Sequence, residues 1–501
     1  MPVSPRHIRT SVVSAACSAV LVVGALGVAP AHATIPDLYS SGGTCQVVKA
    51  DTAKTFRTRT KAVQQAKVRW KKSQARLAQA RRKGTGVAAA KKAVAVAKQQ
   101  LTVAERRLAP LVAQRKRACG PSVVRASVST AGKQGNGDSD EGSLSANDRF
   151  VAFRSEASNL VPGDTNRKQD VFVRDLAKGK TTRVSVSSRG GQVNGDSWAP
   201  SISADGRYVA FVSDATNIAG DTGVQGQVLV HDRRTGTTTL VSRTPAGVAG
   251  NKWSSFPSIS ADGRHIAYLT TATNLSSAIS GPSQVLVYDR VTRQTVRASV
   301  TPTGQVGNGW FEQAEISGDG RFVAFQTEGT NFLAGRGGEG DRMIFVWDRK
   351  TGVSRIASVS PSGAALTAMT SDPSVSWDGR YVTFTEWTRT GGSWGNPVIR
   401  RYDRLASAGS YTTLVAASGH DGSLSPDGGH LGHHCARNGC LTNLATGTTI
   451  PMARLRDDGR SAIVLEASLA TGGRAAAFFS FEEDLVAKDT NGASDVFVRR
   501  R

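Results

Sequence analysis

A motif of eleven residues recurs along the C-terminal three-quarters of the chain, and this repeat restricts the possible folds more than any other feature. In the copy SISADGRYVAF, two strand-like stretches flank an Asp-Gly pair, whose glycine supplies the positive φ that a tight hairpin turn needs. Self-similarity of this kind is typical of propellers and solenoids. The copies begin at Ser143, Ser201, Ser258, Glu315, Ser374, Ser423 and Ser468.

Each motif is followed by two further short strand-like segments, so that one repeat contains four strands. In the second copy, the segment QVLVHD begins at Gln227, a turn follows at Arg234-Thr235-Gly236, and residues 239–242 form the last apolar segment. Four short strands per repeat are the pattern of a propeller blade. The sequence therefore predicts an all-β propeller of seven four-stranded blades over residues 121–501.

The two ends of the repeat region predict how the ring closes. The last copy ends at Arg501, where its fourth strand is due to begin, and residues 122–130 resemble the fourth strand of the first copy. Residues 122–130 are therefore predicted to complete the last blade, which removes exposed sheet edges. The last two copies depart from the motif, with Gly429 in place of Arg and Gly472 in place of Asp, so six blades remain an alternative to seven.

The SxSxDGRxVAF segments, together with the VFVRD-type strands, resemble the WD40-like repeats of the TolB-like β-propeller family over residues 122–501. The resemblance implies the fold and gives no activity. In that family the propeller is usually a platform that binds proteins or ligands, and it is sometimes the scaffold of an attached enzyme. The chain shows no attached enzyme domain, so the resemblance favours a binding or scaffold role.

Residues 46–118 are strongly basic, with 21 Lys and Arg against two acidic residues. Apolar and small residues recur there with the alternating spacing of three and four that is typical of a coiled-coil seam. A fold-back at Gly84-Thr85-Gly86 brings the two halves of the seam together, and the segment 45–120 is predicted to form an antiparallel α-helical coiled-coil hairpin. The seam positions are Phe56, Val63, Ala66, Trp70, Ser73, Leu77, Ala80, Val87, Ala90, Val94, Ala97, Leu101, Ala104, Leu108 and Leu111, with Arg59 as the one misfit.

The first 33 residues have the pattern of a secretory signal peptide, with early arginines, an apolar run and Ala31-His32-Ala33 as a cleavage site. Residues 34–44 are interpreted as a linker, and the protein is predicted to be secreted, with association with the cell envelope as a further expectation. No further stretch is apolar enough to span a membrane. Export and an even number of remaining cysteines favour two disulfides, Cys45–Cys119 at the open end of the hairpin and Cys435–Cys440.

The charge of the hairpin indicates an anion-binding role. A solvated helical surface usually mixes Lys with Glu, whereas acids are almost absent here. The predicted partner is an anionic polymer of the cell envelope or a protein, and nucleic acid is disfavoured by export. Arg81, Arg82 and Lys83 lie near the tip and are candidate contacts. A purely solvated surface is the alternative.

Three tryptophans, Trp198, Trp253 and Trp310, recur in the segment that enters copies two to four. In a radial array, equivalent positions lie on one face, where exposed rings bind sugars or peptides. The alternative is that these rings pack between blades.

Two loops present oxygen ligands at alternating positions, which is the pattern that Ca²⁺ prefers, so calcium is a possible cofactor there. Each loop is also explained as an Asx turn that leads into a strand, and the loss of most of these oxygens in copies two to four favours that interpretation. The candidate ligands are Asp164, Asn166 and Asp170 in the first loop and Asp489, Asn491 and Asp495 in the second. His430, His433 and His434 form a third candidate cluster, but on a strand at most two of them share a face.

The glycine-rich segments 335–340 and 391–395 lack the strand-turn-helix context of a nucleotide-binding loop or a nucleophile elbow, and we identify no catalytic set. The sequence therefore predicts an exported, non-enzymatic binding or scaffold protein. An extracellular polysaccharide hydrolase or lyase that uses the propeller centre is the alternative. Convergence of carboxylates and histidines at the central channel would favour that alternative.

Overall fold

The computed structural model describes residues 50–119, 122–219, 225–276, 281–390, 393–407, 412–416, 419–435, 438–455 and 461–500. The chain divides into two compact units, Met1–Pro121 and Ser122–Arg501. Within the described residues, none of the helices combines the length and the apolar character needed to cross a membrane.

The first unit contains two helices, α1 (Ala50–Lys83) and α2 (Val87–Cys119), which pack against each other. The turn between them uses positive φ at Gly84 and Gly86. From residue 61 to residue 107, every predicted seam position is buried or partly buried, and every other described position is exposed. The predicted helical pair is therefore confirmed. Cys45 lies outside the described residues, so its disulfide with Cys119 stays a prediction.

The second unit consists of seven four-stranded antiparallel sheets, each of which is one blade. The blade that closes the ring contains β1 (Ser122–Arg125) and three strands from the end of the chain. Blade 1 is β2 (Ser139–Leu144), β3 (Phe150–Ser155), β4 (Asp170–Asp175) and β5 (Lys180–Arg183). Blade 2 is β6 (Ser197–Ile202), β7 (Tyr208–Ser213), β8 (Gln227–Asp232) and β9 (Thr237–Leu240). Blade 3 is β10 (Ser254–Ile259), β11 (His265–Thr270), β12 (Gln284–Asp289) and β13 (Gln294–Arg297).

The remaining blades follow the same order, with one short hairpin inserted. Blade 4 is β14 (Phe311–Ile316), β15 (Phe322–Thr327), β16 (Met343–Asp348) and β17 (Val353–Ile356). Blade 5 is β18 (Met369–Val375), β19 (Tyr381–Trp387), β22 (Val398–Asp403) and β23 (Thr412–Ala416), with the hairpin β20 (Arg389–Thr390) and β21 (Ser393–Trp394) between its second and third strands. Blade 6 is β24 (Ser423–Leu424), β25 (His430–Cys435), β26 (Asn438–Asn443) and β27 (Thr449–Pro451). Blade 7 is β28 (Leu465–Leu469), β29 (Ala475–Ser480), β30 (Asp495–Arg500) and β1.

Ring closure takes place as predicted. Strand β1 pairs antiparallel with β30, from Ser122 opposite Arg500 to Arg125 opposite Phe497. The order in this sheet is β1-β30-β29-β28, so the start of the unit supplies the outer strand of the last blade. Seven blades are confirmed, and the alternative of six is wrong.

In blades 2 to 5, the serine that precedes the turn and the Asp-Gly-Arg sequence form one hydrogen-bonded turn. In blade 2, the Ser203 hydroxyl donates to Asp205 Oδ1 (2.8 Å), and Arg207 makes a two-pronged ion pair with Asp232 (2.9 and 2.6 Å). Gly206 has a φ of 75°, and a Cβ atom there would overlap the ring of Phe150 in the preceding blade. The motif is therefore a structural element of the blade and of the contact between blades.

The first serine of the motif connects neighbouring blades. The hydroxyl of Ser143 accepts a hydrogen bond from the backbone N–H of Ile202 in the next blade (3.2 Å), and Ser201, Ser258, Ser374 and Ser468 act in the same way. In blade 4 a glutamate replaces this serine, and Glu315 Oε2 accepts from the N–H of Val375 (3.1 Å). Burial raises the pKa of Glu315 to about 7.

Replacing Glu315 with Ser is expected to remove part of the pH dependence of stability. The pKa of Glu315 is higher in the folded chain than its ordinary value of 4.5. The contribution of this residue to the free energy of unfolding is therefore fully present below pH 4.5 and is lost as the pH rises through about 7. The loss is at most on the order of 3 kcal/mol. Denaturant unfolding at pH 5 and pH 8 measures it, and Glu315→Gln is the control of similar size. An equal change with pH in all three proteins would contradict the assignment.

Candidate functional site at one mouth of the central channel

The first strands of the blades contact one another around the ring and therefore line its centre. In six blades this strand carries a register shift near its beginning, as between Trp198 and Ser201. A bulge of this kind re-aims side chains, and it is common next to functional sites. Five of these bulges contain a residue with positive φ, and Asp421, which precedes β24 of blade 6, has a positive φ at the same distance from its motif. The five bulge residues are Glu141, Ala199, Phe256, Asp372 and Glu466.

The bulges of blades 2 to 5 border a cavity of about 940 Å³, which we call the mouth. All three predicted tryptophans line it, so the repeat does place them on one face. Trp253 and Trp310 are 54% and 52% exposed. Trp198 is partly buried and packs edge-on against Trp253, with ring centroids 6.2 Å apart. The alternative of packing between blades therefore applies to Trp198 alone, because it contacts the core of blades 2 and 3.

A fourth tryptophan, Trp387, also lines the mouth and was missed in the sequence. It lies at the end of β19, whereas the other three precede or begin first strands. Its indole N–H donates to the hydroxyl of Ser371 (2.9 Å), which fixes the ring. An alignment of the second strands of the repeats would have identified it. The second strand of blade 5 is one residue longer than β7, β11 and β15, and Trp387 is that additional residue.

Arg342 and Glu312 line the mouth with the aromatic rings, and other blades carry similar charged pairs. In blade 1, Arg154 Nε donates to Asp140 (2.6 Å). In blade 4, Arg342 bridges Glu312 (2.9 Å) and Glu328 (3.0 Å). In blade 5, Arg400 pairs with Glu386. Of the charged side chains that line the mouth, Glu312, Asp372 and Asp421 are acidic and Arg342 is basic, so the lining carries more acidic than basic groups.

Glu466 of blade 7 lies outside the lining of the mouth, but its carboxyl group interacts electrostatically with Asp421 and has a strongly perturbed pKa. Its side chain touches solvent, but surrounding protein atoms weaken its hydration, and this raises its pKa to about 7. The charges of Glu141, Asp140 and Asp421 raise it further, and Arg154 opposes them. A carboxyl group that is partly protonated at neutral pH can both donate and accept hydrogen bonds.

Blade 6 contributes two histidines and an aspartate. His420 Nδ1 lies 2.8 Å from Asp421 Oδ2, and His434 Nδ1 lies 3.5 Å from the same oxygen. Of the three histidines noted in the sequence, only His434 joins this group. His433 Nε2 instead faces the hydroxyl of Thr442 (2.9 Å), and His430 lies beside Asn443.

The sulfurs of Cys435 and Cys440 lie at bonding distance across the β25–β26 hairpin, with a Cα–Cα separation of 5.8 Å. Cys435 directly follows His434, so this disulfide restrains the end of the strand that carries the histidine.

The two loops considered for calcium each pair with an arginine. Arg183 Nη1 lies 3.2 Å from Asp164 and 3.1 Å from Asp170. In the second loop, Arg125 contacts Asp489 (2.8 Å) and Asp495 (3.3 Å).

The amide side chains of Asn166 and Asn491 donate to Asp170 (3.4 Å) and Asp495 (3.2 Å). These hydrogen bonds and the arginines already serve the oxygens that calcium would need, which favours the structural interpretation of the loops. Calcium binding there stays a prediction.

The basic residues at the tip of the helical pair, Arg81, Arg82 and Lys83, are exposed in the last turn of α1. Cations are favourable at the C-terminus of a helix, because they oppose the negative end of its dipole. Their position therefore suits both the structural and the anion-binding interpretation.

No protein-family model and no curated protein matches the chain. Solved structures with a similar fold include TolB from Acinetobacter baumannii, at 16% identity over 62% of this chain and 65% of that one, with a TM-score of 0.37. The β-propeller domain of the Trilobed protease from Pyrococcus furiosus has 10% identity over 72% and 93%, with a TM-score of 0.46. Porphyromonas gingivalis dipeptidyl peptidase 4 has 12% identity over 68% and 49%, with a TM-score of 0.41.

TolB and other propellers are thus among the structural neighbours, as the motif predicted. The chain spans just under two thirds of the TolB structure and about half of the peptidase. Similarity at this level concerns the fold alone, and the seven sheets described above define that fold directly.

Proposed function

We propose that this chain is an exported binding protein whose propeller binds a saccharide at the mouth. The observation that carries the proposal is the arc of four tryptophans from consecutive blades, two of them more than half exposed, beside a group of carboxylates. Flat exposed indole rings stack on the apolar faces of sugar rings, and carboxylates accept hydrogen bonds from hydroxyl groups.

The charge of the mouth restricts the class of saccharide. Because carboxylates are in excess there, an anionic sugar would be repelled, and a neutral or amine-bearing one is accommodated. The acidic residues that line the mouth are Glu312, Asp372 and Asp421, against Arg342.

A panel of neutral, amine-bearing and anionic oligosaccharides, together with a basic peptide, tests this ligand class with the full chain. We expect binding of a neutral or amine-bearing member. If only the basic peptide binds, the ligand is a peptide and the saccharide proposal is wrong. Binding of anionic oligosaccharides at the mouth would contradict the electrostatic argument.

The helical pair is proposed to contact an anionic polymer of the envelope. Its exposed faces carry many cations, whereas Glu105 is its only acidic residue between 58 and 107. The two units would then separate two tasks, with attachment through the helices and ligand binding through the propeller. Export rests on the signal-like segment 1–33, which lies outside the described residues.

Replacing Arg81, Arg82 and Lys83 by Gln is expected to weaken binding to anionic vesicles or wall polymers by about tenfold at low salt, since each lost ion contact near a charged surface is worth about 1 kcal/mol or less. The helices should stay folded, because none of the three lies on the seam. Sedimentation with vesicles at low and high salt measures the change. Binding that ignores both salt and the substitutions would show that the charge is only a solvated surface.

Glycoside hydrolysis is the second candidate, and one observation favours it. Glu466 has a pKa of about 7 and lies among carboxylates, and a general acid next to a carboxylate is the arrangement that glycosidases use. Release of reducing ends from a bound saccharide, lost in Glu466→Gln with binding retained, would establish this activity. Binding without turnover would leave the binding role.

A further inference from the structure

We infer that His420, Asp421 and His434 form a binding site for a first-row transition-metal dication such as Zn²⁺. The ligand atoms of these three residues lie within 4.8 Å of one another. Tetrahedral zinc sites hold their ligands at about 2.0–2.2 Å from the ion, so only small side-chain movements are needed to close the site.

The geometry around Asp421 carries the inference. One carboxylate oxygen, Oδ2, faces Nδ1 of both histidines, at 2.8 and 3.5 Å. The two imidazole rings meet edge-to-face with centroids 4.6 Å apart. Three donors thus converge from two segments of blade 6, the approach to β24 and the end of β25.

The surroundings of His434 prepare it as a ligand. Its Nε2 is buried, and the backbone of Val464 in the next blade lies close enough to interact with the ring. A metal-bound histidine commonly turns its second nitrogen towards a backbone carbonyl or carboxylate. The Cys435–Cys440 pair adjoins His434 and limits its movement.

The donor set selects the kind of metal. Two imidazole nitrogens and one carboxylate suit Zn²⁺, Cu²⁺ or Ni²⁺, whereas Ca²⁺ and Mg²⁺ prefer oxygen ligands alone. Three protein ligands leave at least one coordination position free. Asp421 lines the mouth beside Trp387, so that position is accessible to a ligand hydroxyl or carboxylate.

A matched pair of variants tests the site. Asp372 lies two residues before the motif of blade 5, as Asp421 does in blade 6; it has a similar positive φ and lines the same mouth. Asp421→Asn and Asp372→Asn therefore remove the same charge from the same cavity, and asparagine tolerates this backbone conformation. His434→Gln is a second ligand variant, and the melting temperature of each variant reports on folding.

Calorimetric titration of the untagged full chain with Zn²⁺ is expected to give one site per chain. The affinity should fall at least about tenfold in Asp421→Asn and in His434→Gln and stay unchanged in Asp372→Asn. Co²⁺ should give visible absorption bands that the two ligand variants lose. Absence of binding by the unaltered chain, or an equal fall in Asp372→Asn, would overturn the site. The titration contains no saccharide, so its outcome is independent of the proposed ligand.

Discussion

Deleting residues 122–130 is expected to lower the melting temperature by on the order of 10 °C or to cause aggregation, because the ring then lacks the outer strand of blade 7. The deletion removes the whole β1–β30 ladder and leaves β30 as a long open edge. An unpaired edge of this kind is a template for association with other chains.

The deletion also breaks a buried ion pair. Arg125 and Asp495 have side chains that are 7% and 1% exposed, and the Ser127 hydroxyl pairs with the same carboxylate. Burial raises the pKa of Asp495 to about 6, with Arg125 and Ser127 opposing that rise. Removing one partner of a buried pair costs about 3–5 kcal/mol.

The control for this deletion removes residues 50–119 and keeps 122–130. It deletes a longer segment before the propeller but preserves β1, so we expect little change in the melting temperature of the propeller. Scanning calorimetry and size-exclusion chromatography compare the two deletions. Equal stability of both proteins would contradict the assignment of β1 as the closing strand.

Replacing Trp253 and Trp310 together with Ala is expected to weaken saccharide binding by at least about 100-fold, since truncating a central aromatic contact typically costs about 2 kcal/mol or more. Both rings are about half exposed, so the propeller should remain folded. Leu405→Ala is the control. This residue is 65% exposed and follows β22 at the end of the blade opposite the mouth.

Fluorescence or calorimetric titration with the best oligosaccharide measures the affinities. Retained affinity in the double variant would mean that the tryptophans do not contact the ligand. A loss of equal size in Leu405→Ala would point to a general effect on the fold.

The fold could be predicted because its determinants are local and repeated. The Asp-Gly turn requires glycine, which the sequence shows directly. At Gly206, glycine is needed both for the positive φ and for the close approach of the backbone to Phe150. The closing strand was visible because 122–130 repeats a segment found in the first blade. Blade 6 forms although it lacks the ion pair between the arginine of the motif and an aspartate of the third strand. Gly429 replaces the arginine and Asn443 occupies the position of the aspartate, so neither charge is left without its partner.

The site was only partly predictable, since its members come from different positions of different repeats. The three tryptophans share one position, which made their common face visible. His420 and Asp421 precede a strand of only two residues in blade 6, and their approach to His434 depends on how β25 packs. Arg183 at the end of β5 contacts Asp164 and Asp170 in a separate loop. The sequence of the loop alone does not show whether an arginine or a calcium ion neutralises its carboxylates.

Hydrogen exchange of the full chain with and without the bound oligosaccharide tests the central claim most directly, because it locates the ligand without any substitution. The account predicts slower exchange in the first strands that border the mouth, β6, β10 and β14, and at the end of β19. It predicts no change in the Asp-Gly turns at the opposite ends of the blades. Protection confined to those turns, or to the helices α1 and α2, would contradict a ligand site at the mouth.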